Sequence, residues 1–271
     1  MRISQILFAL TLGCYTLDLG LFVFRVLLSK QGIRSQRGVL YVAFALHTLA
    51  LAASALESKQ CPLFSLPDSL CFLAWIIILI CLLLGRRYRL NALEGFAPVL
   101  VIILMGASAL VGHRVALPMH LPAKAWILVH AGLYFLGYAA FAITFLSGLV
   151  YLLLENQLKK RHLTVFTGDL GSLALADRIN HAALRVGVLC LTIGIATGIW
   201  IMKELRGAWI SSLWTDPKIA IALFTWVLYM ALLFVRSTNR LRGRKIAYLS
   251  MAGFALVFAT FFSIHHLDRV F

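Results

Sequence analysis

The chain has 271 residues, of which 62% are hydrophobic and 13% charged, and its net charge is +15. That balance excludes a soluble globular domain, because the apolar residues run in stretches of about 20, the length that crosses a bilayer at about 1.5 Å per residue. The positive excess sits in short segments between those stretches, so it is an orientation signal and not a nucleic-acid surface.

Eight spans are predicted, at residues 5–28, 37–57, 67–84, 92–111, 126–155, 181–202, 217–235 and 245–264. The fold class is all-α, a polytopic membrane helix bundle in a single integral membrane domain over residues 1–271. Span one is too long for a cleavable leader and has no small-residue cleavage site. It carries Asp18 mid-way, where a charge costs about 2.5–3.5 kcal/mol on insertion scales. Such a carboxylate is either a packing contact bonded to a neighbour or a proton or ligand site. Arg25 lies one turn from the span end and can snorkel. Span two places His47 near its middle, so Asp18 and His47 are the candidate intramembrane polar site.

The odd-numbered loops are rich in positive charge. They hold Lys30, Arg34 and Arg37; then Arg86, Arg87 and Arg89; then Lys159, Lys160 and Arg161; then Arg236, Arg240, Arg242, Arg244 and Lys245. Positive loops stay inside, so the odd loops are cytoplasmic and both termini face outward. Span five is longer than a bilayer needs and should tilt or project. Loop five is the longest connection, and residues 163–180 suit a short helix along the membrane surface. Loop six, on the outer side, holds Trp209 and Trp214 and ends in Asp216–Pro217, a good cap and first-turn pair for span seven. Exposed indoles there are either an interfacial belt or flat faces for a ligand.

Five of the eight histidines, His113, His120, His130, His265 and His266, stand at the outer ends of spans or in outer loops. A lone histidine at a helix end is usually solvated. Several beside an aromatic loop suit a flat macrocycle: two imidazoles can ligate haem iron from opposite sides, with indoles over its faces. Zinc fits less well, since no HxxxH or HExxH pair lies on one helix face and thiolates are missing. No metal other than haem iron is indicated. The five cysteines form no CxxC, which argues against a thiol-redox enzyme. A Cys61–Cys71 bridge would need an unusual turn.

Four blocks resemble the CcsA/HemX-type cytochrome c assembly family. They are ESKQCPLFSLPDSLCFLAW from Glu57, WILVHAGLYFLGYAAFAITFLSGLVYLLLE from Trp126, DRINHAALRVGVLCLTIGIATGIW from Asp177, and GRKIAYLSMAGFALV from Gly243. They run in family order, and the resemblance is best over about residues 40–271. It implies an eight-span bundle that presents haem at the outer face, with His130 and either His265 or His266 as axial ligands. Trp209, Trp214, Asp216 and Trp226 then fall on or beside the family's tryptophan-rich loop and the span after it. The implied cofactor is non-covalent, b-type haem. The implied partners are apocytochrome c, which must supply the CxxCH thiols, and a second assembly membrane protein. The implied place is the inner (cytoplasmic) membrane, with the tryptophan loop on the periplasmic side. On this reading the chain is a haem-handling assembly factor more than a stand-alone enzyme.

The chain departs from the family pattern at Leu213, Thr215, Ile219 and Ile221, and Phe234 stands where many members end span seven with a histidine. These departures keep a second reading open, a HemX-like accessory protein of haem biosynthesis acting through its cytoplasmic face. A small-molecule transporter is a third, but no internal symmetry is evident and only Asp18 and His47 lie near the midplane.

Topology is directly testable. Reporter fusions after Arg87 and after Gly207 should report opposite sides of the membrane. Fusions reporting one side would overturn the span count.

Overall fold

The computed structural model describes residues 2–25, 37–58, 65–88, 91–111, 124–159, 172–206, 217–238 and 243–267. Among these residues there are eight helices. They are α1 (Ile3–Phe24), α2 (Arg37–Ser58), α3 (Leu66–Tyr88), α4 (Asn91–Val111), α5 (Lys124–Lys159), α6 (Leu173–Arg206), α7 (Pro217–Ser237) and α8 (Arg244–Leu267). The first seven are long and apolar enough to cross a membrane. α8 has 24 residues, again a spanning length. An all-helical answer follows from the solvent: in lipid every backbone N–H and C=O must be satisfied within the segment.

The eight elements match the eight predicted spans. α5 is indeed long, at 36 residues. α6 begins earlier than expected, because residues 173–180 are continuous with the span and not a separate surface helix. Nothing in LALADRIN breaks a helix, and the Ser172 hydroxyl accepts from the Leu175 N–H at 3.1 Å as the N-cap. Residues 163–171, the rest of that expected surface helix, lie outside the described residues. α3 starts on a reciprocal cap: Asp68 N–H donates to Ser65 Oγ at 3.3 Å, and Ser65 Oγ donates back to the Asp68 carboxylate.

The chain divides into two compact units. The first comprises Met1–Met119 with Leu153–Leu175, and the second His120–Leu152 with Ala176–Phe271.

In the first unit α3 packs on α4, α1 on α2 and on α4, and α2 on α3. The apolar core is built by Leu40, Leu70, Ile77, Ile78, Leu93, Leu104 and Met105. Trp75 stacks against Phe44 and Phe72, and its indole N–H donates to Thr48 Oγ1 at 2.9 Å. Cys71 is buried, and its Sγ donates to Ser108 Oγ at 3.3 Å. Cys61 lies outside the described residues.

In the second unit one polar knot ties four helices. Arg236 of α7 donates to Asn180 Oδ1 at 2.6 Å, to the Asp177 carboxylate at 2.7 Å and to the Asp177 carbonyl at 2.8 Å. Asn180 of α6 in turn donates to the Thr144 carbonyl of α5 at 2.7 Å. Ser250 of α8 lies 3.5 Å from Asn180 Oδ1. Nearer the middle of the helices, Phe141 and Tyr229 stack with ring centroids 3.6 Å apart. A leucine at position 180 would strip Arg236 and the Thr144 carbonyl of a partner at once. Asn180→Leu should therefore lower stability by about 1–3 kcal/mol. Thermal unfolding in detergent measures it, and an unchanged midpoint would show that the knot is replaceable.

Candidate functional site

The second unit builds its site from the facing ends of α5 and α6. His130 lies in the second turn of α5 and is half-buried. Its Nδ1 is 2.9 Å from the Gly194 carbonyl oxygen of α6 and 3.4 Å from Thr197 Oγ1. A carbonyl only accepts, so in the neutral ring Nδ1 carries the proton and donates it to Gly194. The Thr197 hydroxyl shares its own proton between the Ile193 and Gly194 carbonyls, at 3.0 and 2.9 Å. Nε2 is thereby the basic nitrogen. This is how a metal-binding imidazole is normally held: a hydrogen bond at one nitrogen sets the tautomer and orients the other.

The ring fits because α6 is bare beneath it. A Cβ added at Gly198 would stand 2.6 Å from His130 Cε1, too close for either atom to remain. Gly194 and Gly198 are one turn apart, a small-xxx-small strip that lets a neighbouring helix approach closely.

Aromatic rings flank this imidazole. Tyr134, one turn further along α5, has its ring centroid 4.8 Å from that of His130. Trp126, one turn earlier, meets Trp200 of α6 edge to face at 4.9 Å. Both indoles are about half exposed, at 48% and 42%. The sequence reading assigned the aromatic cover to Trp209 and Trp214, which lie outside the described residues together with Asp216. It passed over Trp126 and Trp200, although the spacing from Trp126 to His130 is a helical turn and could have drawn attention to the pair.

Trp226 is placed on α7, where its indole N–H donates to Thr192 Oγ1 of α6 at 2.9 Å. That bond joins α7 to α6 two residues before Gly194. The backbone of His265 and His266 lies in the last turn of α8, and their side chains lie outside the described residues. His113 and His120 are outside as well. Asp18 and His47 belong to the first unit and are both buried there.

The donor set suits haem. A neutral imidazole with a basic nitrogen and flat aromatic side chains around it are what an iron porphyrin needs from one side.

A family model described as cytochrome C assembly protein matches residues 63–270. This chain belongs to the cytochrome c assembly protein family. Its relatives include the cytochrome c biogenesis protein CcsA of Guillardia theta, 27% identical across 82% of this chain and 79% of the relative. The CcsA of Synechococcus sp. (strain CC9311) is 27% identical across 93% of this chain and 95% of its own. That of Mesostigma viride is 25% identical across 90% and 88%. The chain is accordingly a membrane protein of cytochrome c biogenesis, and the HemX-like accessory reading is not favoured. The family match begins after α2, so His130 and its α6 cradle fall inside it.

The cradle makes a sharp prediction. Gly198→Ala should force the rigid imidazole aside and cost about 1–3 kcal/mol, the usual range for overpacking. Nitrogen-15 spectra of histidine-labelled protein should show His130 as the Nδ1–H tautomer in the wild type and a changed signal in the variant. A His130 signal of the opposite tautomer in the wild type would remove the Gly194 bond from the account.

Proposed function

We propose that the second unit receives haem and holds it, non-covalently and as a b-type group, at the outer face of the cytoplasmic membrane for attachment to apocytochrome c. The observation that carries this reading is the His130 Nδ1 to Gly194 carbonyl bond, which leaves Nε2 poised as an iron ligand. His130 supplies one axial nitrogen, and His265 or His266 at the end of α8 supplies the other. Trp209 and Trp214 cover the macrocycle, and Trp226 holds α7 to α6. Trp126 and Trp200 join that cover from α5 and α6.

Haem is the cargo, and it brings the iron and the porphyrin edge that thiols join. This chain's residues bind it, orient it and keep it off bulk water. The thiol pair comes from the CxxCH segment of apocytochrome c, and a second assembly membrane protein brings that partner to the site. No step here needs a nucleophile from this chain, which suits an assembly factor more than a stand-alone enzyme.

Purified protein from haem-replete cells should show the absorption of low-spin, histidine-ligated haem. His130→Ala should shift or weaken it, because loss of one imidazole opens an axial position. The double change of His265 and His266 to alanine should do the same from the other side. Trp209 and Trp214 together replaced by alanine should lower haem per protein about tenfold, since each ~1.4 kcal/mol of lost contact is a factor of ten; replacement by phenylalanine should restore much of it. Spectra unaltered by either histidine change would sink the ligand assignment. Equal haem content in the tryptophan variants would return those residues to an interfacial belt.

A further inference from the structure

The first unit contains a helix turned the opposite way from a usual core helix. α1 buries Ser4, Thr11, Tyr15 and Asp18. Several of its large apolar residues, among them Leu10 and Leu17, are more than half exposed. An apolar face toward lipid is expected of a span, but a polar face toward the bundle needs partners. They occur at intervals along the helix. At one end Ser4 Oγ and Ser4 N–H both donate to the Glu57 carboxylate of α2.

Midway, Tyr15 OH and His47 Nδ1 of α2 are 3.3 Å apart, with their rings edge to face at 5.8 Å. His47 is 1% exposed. Its Nε2 is buried toward the α3 backbone at Cys71 and makes no hydrogen bond of full geometry. One turn beyond Tyr15 stands Asp18, 7% exposed and within electrostatic reach of both Tyr15 and Glu94.

Glu94 of α4 is itself 1% exposed. Arg37 of α2 donates to it from Nε at 3.1 Å, and its Nη2 donates to the Gly85 carbonyl at 3.2 Å and to Asn91 Oδ1 at 3.1 Å. The Arg37 side chain is about one-third exposed, so this end of the cluster meets the surface. The guanidinium of Arg37 is ion-paired with Glu94.

We infer that Asp18, Tyr15 and His47 form an intramembrane proton-binding site, entered from the end of the first unit that carries Arg37 and Glu94. The site lies in α1 and α2, ahead of the residues that match the family model. The ligand is a single proton, and no electron moves. Arg37 balances one of the two carboxylates, and a proton on Asp18 balances the other. Transfer onward to His47 returns Asp18 to the carboxylate and makes His47 an imidazolium, so the net charge is unchanged: Nδ1 gains the proton, and the Tyr15 hydroxyl turns from donor to acceptor. Among the described residues, the other titratable or charged groups near the cluster include Cys14 on α1, Cys71 and Cys81 on α3, Glu94 on α4 and the guanidinium of Arg37. Uptake at one membrane face would then change the charge packed between α1 and α2.

Infrared spectroscopy of the whole protein in lipid nanodiscs tests this, because a protonated carboxylic acid has a carbonyl stretch apart from the carboxylate bands. The wild type should show such a band that grows as pH falls. Labelling aspartate with carbon-13 should shift it, which assigns it without any substitution. Asp18→Asn should abolish it. His47→Gln should move the pH of its midpoint by about one unit or more, as expected for a neighbour that shares the charge. The inference is overturned by the absence of any pH-dependent aspartic-acid band in the wild type. A band that survives Asp18→Asn, or one whose midpoint ignores His47→Gln, overturns it equally.

Discussion

One constraint governs this molecule: inside a bilayer, a polar group must find its partner within the protein. Water is not there to solvate an unpaired donor, so each buried polar side chain is either bonded or costly. The backbone meets the constraint by becoming helix. The side chains meet it by turning inward, and the resulting bonds decide which helix faces which. Arg236, Asn180, Asp177 and Thr144 satisfy one another across three helices of the second unit. Arg37, Glu94 and Asn91 do the same in the first. These knots give orientation that leucine on leucine cannot, since lipid tails are as apolar as the side chains.

The same logic explains why His130 sits where it does. A half-buried imidazole at a helix end could point to water and need nothing from its neighbours. Here one nitrogen is engaged by a backbone carbonyl of α6, and the ring rests on a glycine. Engagement on one side gives direction on the other. The helix carbonyl that accepts from Nδ1 still belongs to the α6 ladder, so the support for the ring is as rigid as the helix. A ligand held by a rigid element is placed more reproducibly than one on a loop.

The two units divide the chemistry. The second holds the imidazole, the exposed indoles and the α8 end with its histidine pair, all within the family match. The first holds the buried aspartate, glutamate, tyrosine and histidine, with the family match beginning only after α2.

Span number, length and inward-facing polarity were legible in the chain, because apolar runs of bilayer length are a direct consequence of the solvent and need no tertiary information. The caps on α3 and α6 follow from local residues. The sequence also marked Asp18 and His47, since ionisable residues in such runs are conspicuous. It did not mark Tyr15, Glu94 or Arg37, which look like an ordinary aromatic and two residues near helix ends. Only packing shows that Glu94 is buried and that Arg37 reaches it from another helix 57 positions away. Likewise Gly194, Thr197 and Gly198 read as unremarkable residues of an apolar helix. Their role depends on which face of α6 meets α5, and that rotation is set by the Asn180 and Arg236 bonds far along the same helices. Composition fixes how many helices form and where they start. Their mutual rotation, and hence the tautomer of His130, is decided only when polar groups from distant segments find one another.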